Sequence, residues 1–278
     1  MGWRAMTSGW TLTLKNLCMP VFCQECNRRL LTEENGYFCP TCWELSRRIE
    51  RPFCTVCGKP HQGRAGFGVV HNFPCGACRL AGARPFGRIY GAAYYEGAVA
   101  EAIKLLKFSW KYRLAEALAE RMLEFAQEEI DCAAYTDLVP VPLHRVRQRA
   151  RGFNQSTLLA THLLPAFPNA RLNENLTRLR PTLPQSLLKH GVVRRTNLVG
   201  AFAVDRKYDF NDCHVLLIDD VVTSTKTVVE CTDALKRAGA ERVDVFAAAL
   251  TMQDTSVPSQ RKRRGRTIGS QGPAGGFA

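Results

Sequence analysis

The sequence predicts an α/β protein: a mostly parallel sheet flanked by helices, preceded by a small metal-stapled unit. Three observations carry this. From about residue 89 onward, apolar runs alternate with segments of helical period. One such run, HVLLIDD (214–220), is almost wholly apolar and ends in two acids, as a strand buried on both faces does. Ahead of this region, eight of the chain's 12 cysteines fall in four C-x-x-C pairs.

In chain order, residues 1–18 read as an N-terminal extension. GWTLTLKNLCMPVFC is interrupted by Lys15 and Asn16 and leads to no small-residue cleavage site, so no signal peptide is expected. No stretch approaches the roughly 18 uninterrupted apolar residues of a membrane span, so no membrane insertion is expected and the expected location is cytoplasmic.

Residues 19–84 hold the pairs Cys23/Cys26, Cys39/Cys42, Cys54/Cys57 and Cys75/Cys78. A C-x-x-C turn presents two thiolates about 3.5–4 Å apart, two corners of a tetrahedral zinc site. Gly58 and Gly76 suit the tight knuckle backbone. Four pairs predict two structural zincs in a double zinc ribbon. Sequential pairing is the expectation and interleaved pairing its rival. Redox pairs and iron–sulfur ligation are the other uses of this spacing. Catalytic zinc is disfavoured, because four thiolates leave no open position. The ribbon is short of aliphatics, so metal is expected to stand in for a core. Its Arg28, Arg29, Arg47, Arg48 and Arg51 suit phosphate contacts. Its aromatics Phe22, Tyr37, Phe38, Trp43 and Phe53 are either stacking surfaces or, more simply, its packing. Of the remaining cysteines, Cys132, Cys213 and Cys231 read as buried small hydrophobes, and Cys18 lies in the extension.

Residues 85–253 form the α/β unit. IYGAAYY reads as a strand, and GAVAEAIKLLKF and YRLAEALAERMLEFAQEEI read as helices. TDLVPVP is a short apolar run stopped by prolines, and NQSTLLATHLLPAF is a helix after RGF. TVVECTDALKRAGA is a helix with glycine near its end, and ERVDVFAAALT is a second buried strand. The tail, 254–278, carries Arg261, Lys262, Arg263, Arg264 and Arg266 without apolar periodicity and reads as disordered. Charge totals 38 basic against 25 acidic residues, net +13, which fits an anionic partner; solubility alone is the simpler account. Lys107, Lys111 and Arg113 either add positive field or form a solvated helix end.

The segment most loaded with chemistry runs from His214 to Thr227, HVLLIDDVVTSTKT. Two carboxylates stand at the carboxyl end of a buried strand, where open α/β sheets place ligands. A hydroxyl-rich loop and a helix start follow, and their backbone N–H groups make an anion cradle. Acids beside a phosphate site point to hydroxyls or a metal, such as a ribose with Mg²⁺. A Walker A loop is absent, and an ordinary capped strand-to-helix turn is the plain alternative.

This segment resembles the motif by which type I phosphoribosyltransferases bind PRPP (5-phosphoribosyl 1-pyrophosphate). Over residues 20–252 the chain resembles the ComF family, whose members carry a zinc ribbon before a phosphoribosyltransferase-like domain. LVPVPLHRVRQRARGFNQSTLLA (138–160), TRLRPTLPQSLL (177–188) and RRTNLVGAF (194–202) match as well. The resemblance implies roles. Asp219 and Asp220 hold the ribose 2′- and 3′-hydroxyls. Thr223, Ser224, Lys226 and Thr227 cradle the 5′-phosphate, mainly through backbone amides, and Val221, Val222 and Thr225 complete the PRPP-binding segment. A loop bearing His144, Arg145, Arg149 and Arg151 meets the pyrophosphate, with Arg151 catalytic beside the two acids, and Gly152 allows close approach. Asn154 and Gln155 open the following helix. A hood within 180–198 carries Gln185, Arg194, Arg195 and Asn197. Mg²⁺ accompanies PRPP, and the expected cofactors are therefore two structural zincs and magnesium.

The family's loop usually reads T-T-G-x-T, and Thr225 here holds the glycine position. If that position needs φ > 0, threonine costs about 1–2 kcal/mol. Two functions stay open: transfer of a phosphoribosyl group to an unknown acceptor, associated with DNA uptake, and a non-catalytic module binding PRPP, a nucleotide or single-stranded DNA. A DNA-uptake helicase docked on the ribbon is a further expected partner.

Overall fold

The computed structural model describes residues 20–30, 36–61, 71–180, 200–205 and 207–252. The extension, the tail, Cys18 and the hood residues Gln185, Arg194, Arg195 and Asn197 lie outside the described residues.

The cysteine-rich segment has little regular structure. Two short strands, β1 (Val21–Phe22) and β2 (Arg29–Leu30), pair antiparallel, and two single-turn helices follow, α1 (Pro40–Glu44) and α2 (Gly76–Leu80). The α/β unit then runs β3 (Ile89–Tyr94), α3 (Gly97–Phe108), α4 (Arg113–Glu129), β4 (Asp137–Pro140), α5 (Arg145–Arg151), α6 (Gln155–Leu163) and β5 (Arg171–Leu172). It continues with β6 (Leu176–Arg178), β7 (Phe202–Val204), β8 (His214–Val222), α7 (Thr225–Arg237) and β9 (Arg242–Leu250).

Five strands form one sheet in the order β3-β9-β8-β4-β5, and every pairing in it is parallel. β6 and β7 pair antiparallel beside it. The central strands β8 and β9 are nearly all buried, which is why both read as continuous apolar runs. β8 lies between β9 and β4, so its carboxyl end opens at the middle of the sheet edge. β8 extends beyond the two acids to Val222, because Val221 and Val222 keep register with Ala249 and Leu250.

Two expectations change here. The segment after Val-Pro-Val-Pro, expected as a loop, is the seven-residue helix α5. His144 caps it, its ring nitrogen accepting the Val146 N–H at 3.3 Å, and Gly152 ends it at φ +77°. Gly152 thus supplies a left-handed helix stop, and its bare α-carbon faces the Trp110 ring, which a Cβ would meet at 3.2 Å.

The ribbon shares its core with the sheet instead of relying on metal alone. Phe38, Ile49 and Phe53 belong to the same buried cluster as Ile89, Tyr90 and Phe125. The backbones join too: Ile49 N–H donates to Ala92 O and Ile89 N–H to Val56 O. Among the described residues no helix is long and apolar enough to cross a membrane.

Candidate functional site

The cysteines form two separate clusters, Cys23/Cys26/Cys39/Cys42 and Cys54/Cys57/Cys75/Cys78, each with its four sulfurs within 4.8 Å of one another. The pairing is therefore sequential. Cys26 Sγ lies 3.8 Å from Cys39 Sγ, and Cys57 Sγ lies 3.9 Å from Cys75 Sγ, the edge length of a ZnS₄ tetrahedron. Backbone N–H groups of Val56, Cys57 and Cys75 all point at Cys54 Sγ. Burial pushes the Cys54 thiol up, but these N–H donors outweigh it and bring it down to about 6. The same balance places Cys23 at about 6. Soft ligands in four-fold sets with donors already aimed at them fit structural zinc.

The ribbon arginines turn inward to the α/β unit. Arg47 pairs with Glu96, Arg48 with Glu124 at 2.9 Å and Arg51 with Glu129 at 2.5 Å. Three of the five arginines expected to meet phosphate thus brace the ribbon on α3 and α4. Arg121 is buried between the two parts; it donates to Trp43 O and Ser46 O and lies over the Trp43 ring. Phe38 and Phe53 are buried, so they pack and do not present a surface; Phe22 is exposed.

The sheet's carboxyl edge assembles the acids. Consecutive strand residues point to opposite faces, so the two carboxylates meet different neighbours. Asp219 Oδ1 accepts the Ser156 hydroxyl at 3.3 Å and the Asp220 N–H at 2.9 Å. Asp220 Oδ2 is 2.5 Å from Lys107 Nζ, an ion pair largely out of water. Arg151 lies in the field of Asp220, and Arg178 in that of Asp219. Burial, and then the neighbouring Asp220 charge, push the Asp219 carboxyl up to about 8 against the pull of Lys107. Near neutral pH the pair therefore holds one proton more readily than two isolated acids do.

Beyond Val222 the chain turns through Thr223 and Ser224 into α7. Ser224 is the N-cap in extended conformation, and its side chain makes no capping bond. The first-turn amides of Thr225, Lys226 and Thr227 have no intrahelical acceptor, as in any helix. Thr225 is the first helical residue and is not among the residues with positive φ. The strain expected there is absent, because the position is used as a helix start.

The structure thus brings Asp219, Asp220, Arg151 and the 221–227 turn together. Asn154 and Gln155 open α6, where Asn154 caps by accepting the Ser156 N–H and its amide donates to Val141 O. His144 is engaged as a cap, and Arg145 and Arg149 are exposed on the outer side of α5. Sequence reading missed Ser156 and Arg178 and left Lys107 undecided. The signals were there for two of them: Ser156 directly follows the Asn-Gln pair, and Lys107 ends a helix aimed at the sheet edge.

Next to the acids lies an exposed aromatic corner. Phe108, Trp110 and Tyr112 are 71%, 55% and 44% exposed, and Trp110 is held at φ +57°. Tyr112 packs edge-on to Phe153 with ring centres 4.6 Å apart, and Arg151 lies over Phe108. Residues 107–113 and 144–153 carry Lys107, Lys111, Arg113, Arg145, Arg147, Arg149 and Arg151 and contain no acid.

These features define a class: a parallel α/β protein with an acid pair and an uncapped helix start at the sheet's carboxyl edge, joined to a double zinc ribbon. Comparison with known proteins agrees. The double zinc ribbon domain family matches residues 14–79. DNA utilization protein YhgH of Escherichia coli O157:H7 is 31% identical over 240 residues, 85% of this chain and 100% of the relative. Competence protein F of Haemophilus influenzae is 29% identical, covering 82% of this chain and 96% of the relative. The chain belongs to the ComF/YhgH family. Among solved structures, the purine phosphoribosyltransferase of Pyrococcus horikoshii aligns at 11% identity and a TM-score of 0.30, over 49% of this chain and 83% of its own. That likeness is too weak to bear on function.

Proposed function

We propose that the chain binds PRPP with Mg²⁺ at the β8–α7 turn and transfers its phosphoribosyl group to an acceptor, in the service of DNA handling in the cytoplasm. The observation that carries this reading is the succession at one sheet edge: two carboxylates, two turn residues, then a helix start with no side-chain cap over its free amides. Asp219 and Asp220 accept hydrogen bonds from the ribose diol. The 5′-phosphate lies on the amides of Thr225, Lys226 and Thr227, with hydroxyls of Thr223 and Ser224 beside them. Arg151 and Lys107, both beside Asp220, supply the positive charge for the departing diphosphate. The carboxylate oxygens of the pair are hard donors, the kind Mg²⁺ takes; Asp219 and Asp220 would hold the ion, which would supply charge neutralisation for the leaving diphosphate.

In the reaction, the bond from ribose C1 to the diphosphate oxygen breaks and its electron pair leaves with diphosphate. The acceptor's nucleophilic atom forms the new bond to C1, and any proton it carries is released. Positioning and charge stabilisation supply most of the acceleration. The family names "DNA utilization" and "competence" support the DNA context. The test is calorimetry of the full chain with PRPP and Mg²⁺, alongside Asp219→Asn/Asp220→Asn. Binding by the wild type and its loss in the double variant is the expected result; no heat from the wild type sinks the reading.

A second reading is favoured by the aromatic corner. Three exposed rings beside seven cations are the elements of a single-strand binding surface. On this reading the chain binds single-stranded DNA through 107–113 and α5, and the ribbon is left to dock a partner such as a helicase. Trp110→Ala weakens oligonucleotide binding in a salt-dependent gel shift; unchanged mobility at low salt in the wild type argues against it.

A further inference from the structure

The oxygens of the acid pair are engaged in two different ways. Asp219 Oδ1 accepts the Ser156 hydroxyl, and the groups behind that contact close a ring. Val141 N–H donates to Ile218 O at 2.9 Å, the Asn154 amide to Val141 O at 3.0 Å, and Ser156 N–H to Asn154 Oδ1 at 3.1 Å. Asp219 is thereby tied to β4 and α6 through short, fixed groups. Asp220 is held otherwise. Its Oδ1 accepts the Val221 N–H at 3.0 Å. Its Oδ2 is buried and accepts no hydrogen bond of good geometry; the Lys107 ammonium stands against it at 2.5 Å. That ammonium is a point charge on a flexible four-carbon stem, carried by the last turn of α3. Arg151 adds a second cation in the field of Asp220, and it lies over the ring of Phe108, the residue after Lys107.

We infer that Lys107 is a counterion with two positions: it shields Asp220 from divalent metal before PRPP binds, and it passes to the diphosphate when PRPP arrives. The second position rests on the PRPP reading; the first does not. Two carboxylates side by side would by themselves draw a divalent cation. With Lys107 in contact with Asp220, Arg151 beside it and Arg178 near Asp219, cations outnumber acids, and a free metal ion meets net repulsion. Diphosphate reverses the balance, because it offers Lys107 and Arg151 more negative charge than one carboxylate does. Moving the ammonium there uncovers Asp220 Oδ2 for the ribose diol or the ion. An ammonium suits this exchange better than a guanidinium, since it turns about its own stem without breaking a bidentate pair. A pair that never opens would instead be a structural tie, and removing Lys107 would then lower metal and PRPP affinity together.

Mn²⁺ is the probe for the first position, since it takes the same hard oxygen ligands as Mg²⁺ and its free ion is read by electron paramagnetic resonance. It is titrated into the full-length zinc-loaded protein without PRPP. Lys107→Met is expected to bind it about tenfold tighter than the wild type, and Lys107→Met/Asp220→Asn to lose the gain. Calorimetry with PRPP and Mg²⁺ reads the second position: Lys107→Met is expected to bind PRPP about tenfold more weakly. A structural tie does not produce these opposite signs. Mn²⁺ affinity unchanged or lower in Lys107→Met, or a gain that survives Asp220→Asn, overturns the inference. Lys107→Gln, with a neutral polar end, takes its place if the methionine variant does not fold, and the same outcomes apply. PRPP binding as tight in the variant as in the wild type overturns the second position alone. A wild type that does not bind PRPP overturns the transfer reading and the second position, and the Mn²⁺ result then decides the shielding of Asp220 by itself.

Discussion

At the scale of single residues, Lys107 and the two aspartates set the electrostatics of the site. The Lys107–Asp220 pair is mostly buried, with side chains 19% and 9% exposed, so removing one partner strands the other. Lys107→Met is expected to destabilise the protein by about 2 kcal/mol, measured by urea unfolding. Adding Asp220→Asn should recover most of that loss, and a double variant as unstable as the sum of the two singles refutes the coupling. Asp219 adds a pH dependence. Its folded-state value of about 8 is raised above the ordinary 3.8, so the folded state holds the proton more tightly. The stability this contributes is fully present below about pH 4 and is lost as pH rises through about 8. Asp219→Asn should flatten the melting-temperature profile across that window and stabilise the protein by about 1–3 kcal/mol above pH 8. Thr225 is a third case. As the first residue of α7 it has no left-handed backbone to relieve. Thr225→Gly should therefore leave PRPP affinity in calorimetry essentially unchanged and reduce stability by up to about 1 kcal/mol.

At the scale of elements, two features decide how the site is built. The first is α5, which replaces an expected loop. Arginines at 145 and 149 fall on one side of a helix and those at 147 and 151 on another. Only Arg151 of the expected set is thereby brought toward Asp220. The second is the ribbon's second knuckle pair. Gly58 sits at φ +70° with its α-carbon against Ile89 O, so this knuckle packs directly on the first strand of the sheet. Cys54→Ser should halve zinc from two to one per chain by mass spectrometry of the metal. It should also lower the melting temperature of the α/β unit, because Val56, which leads into that knuckle, provides the acceptor for Ile89 N–H.

At the scale of the whole molecule, ribbon and sheet share one apolar core and a set of polar ties through Arg47, Arg48, Arg51 and Arg121. We expect a single cooperative thermal transition in calorimetry that moves down as a unit on zinc chelation. Two separate transitions rule out this coupling. Much of the architecture was legible beforehand because it depends on local spacing. Four C-x-x-C pairs specify two metal sites, apolar period distinguishes β8 and β9 from α3 and α4, and an acid pair before a hydroxyl-rich turn marks a ligand edge. Those signals are carried by residues a few positions apart, and backbone geometry alone turns them into structure.

The sequence by itself therefore determined the alternation of the main strands and helices, the cysteines that cluster in fours, and the acid pair ahead of a strand-to-helix turn. Tertiary structure decided which cysteine pairs lie together, that three ribbon arginines face Glu96, Glu124 and Glu129, and that Lys107, Ser156 and Arg178 converge on Asp219 and Asp220. The reason is physical. A charge's role depends on what lies within a few ångströms of it and on how much water remains between them. Both are fixed only when segments distant along the chain are packed against one another.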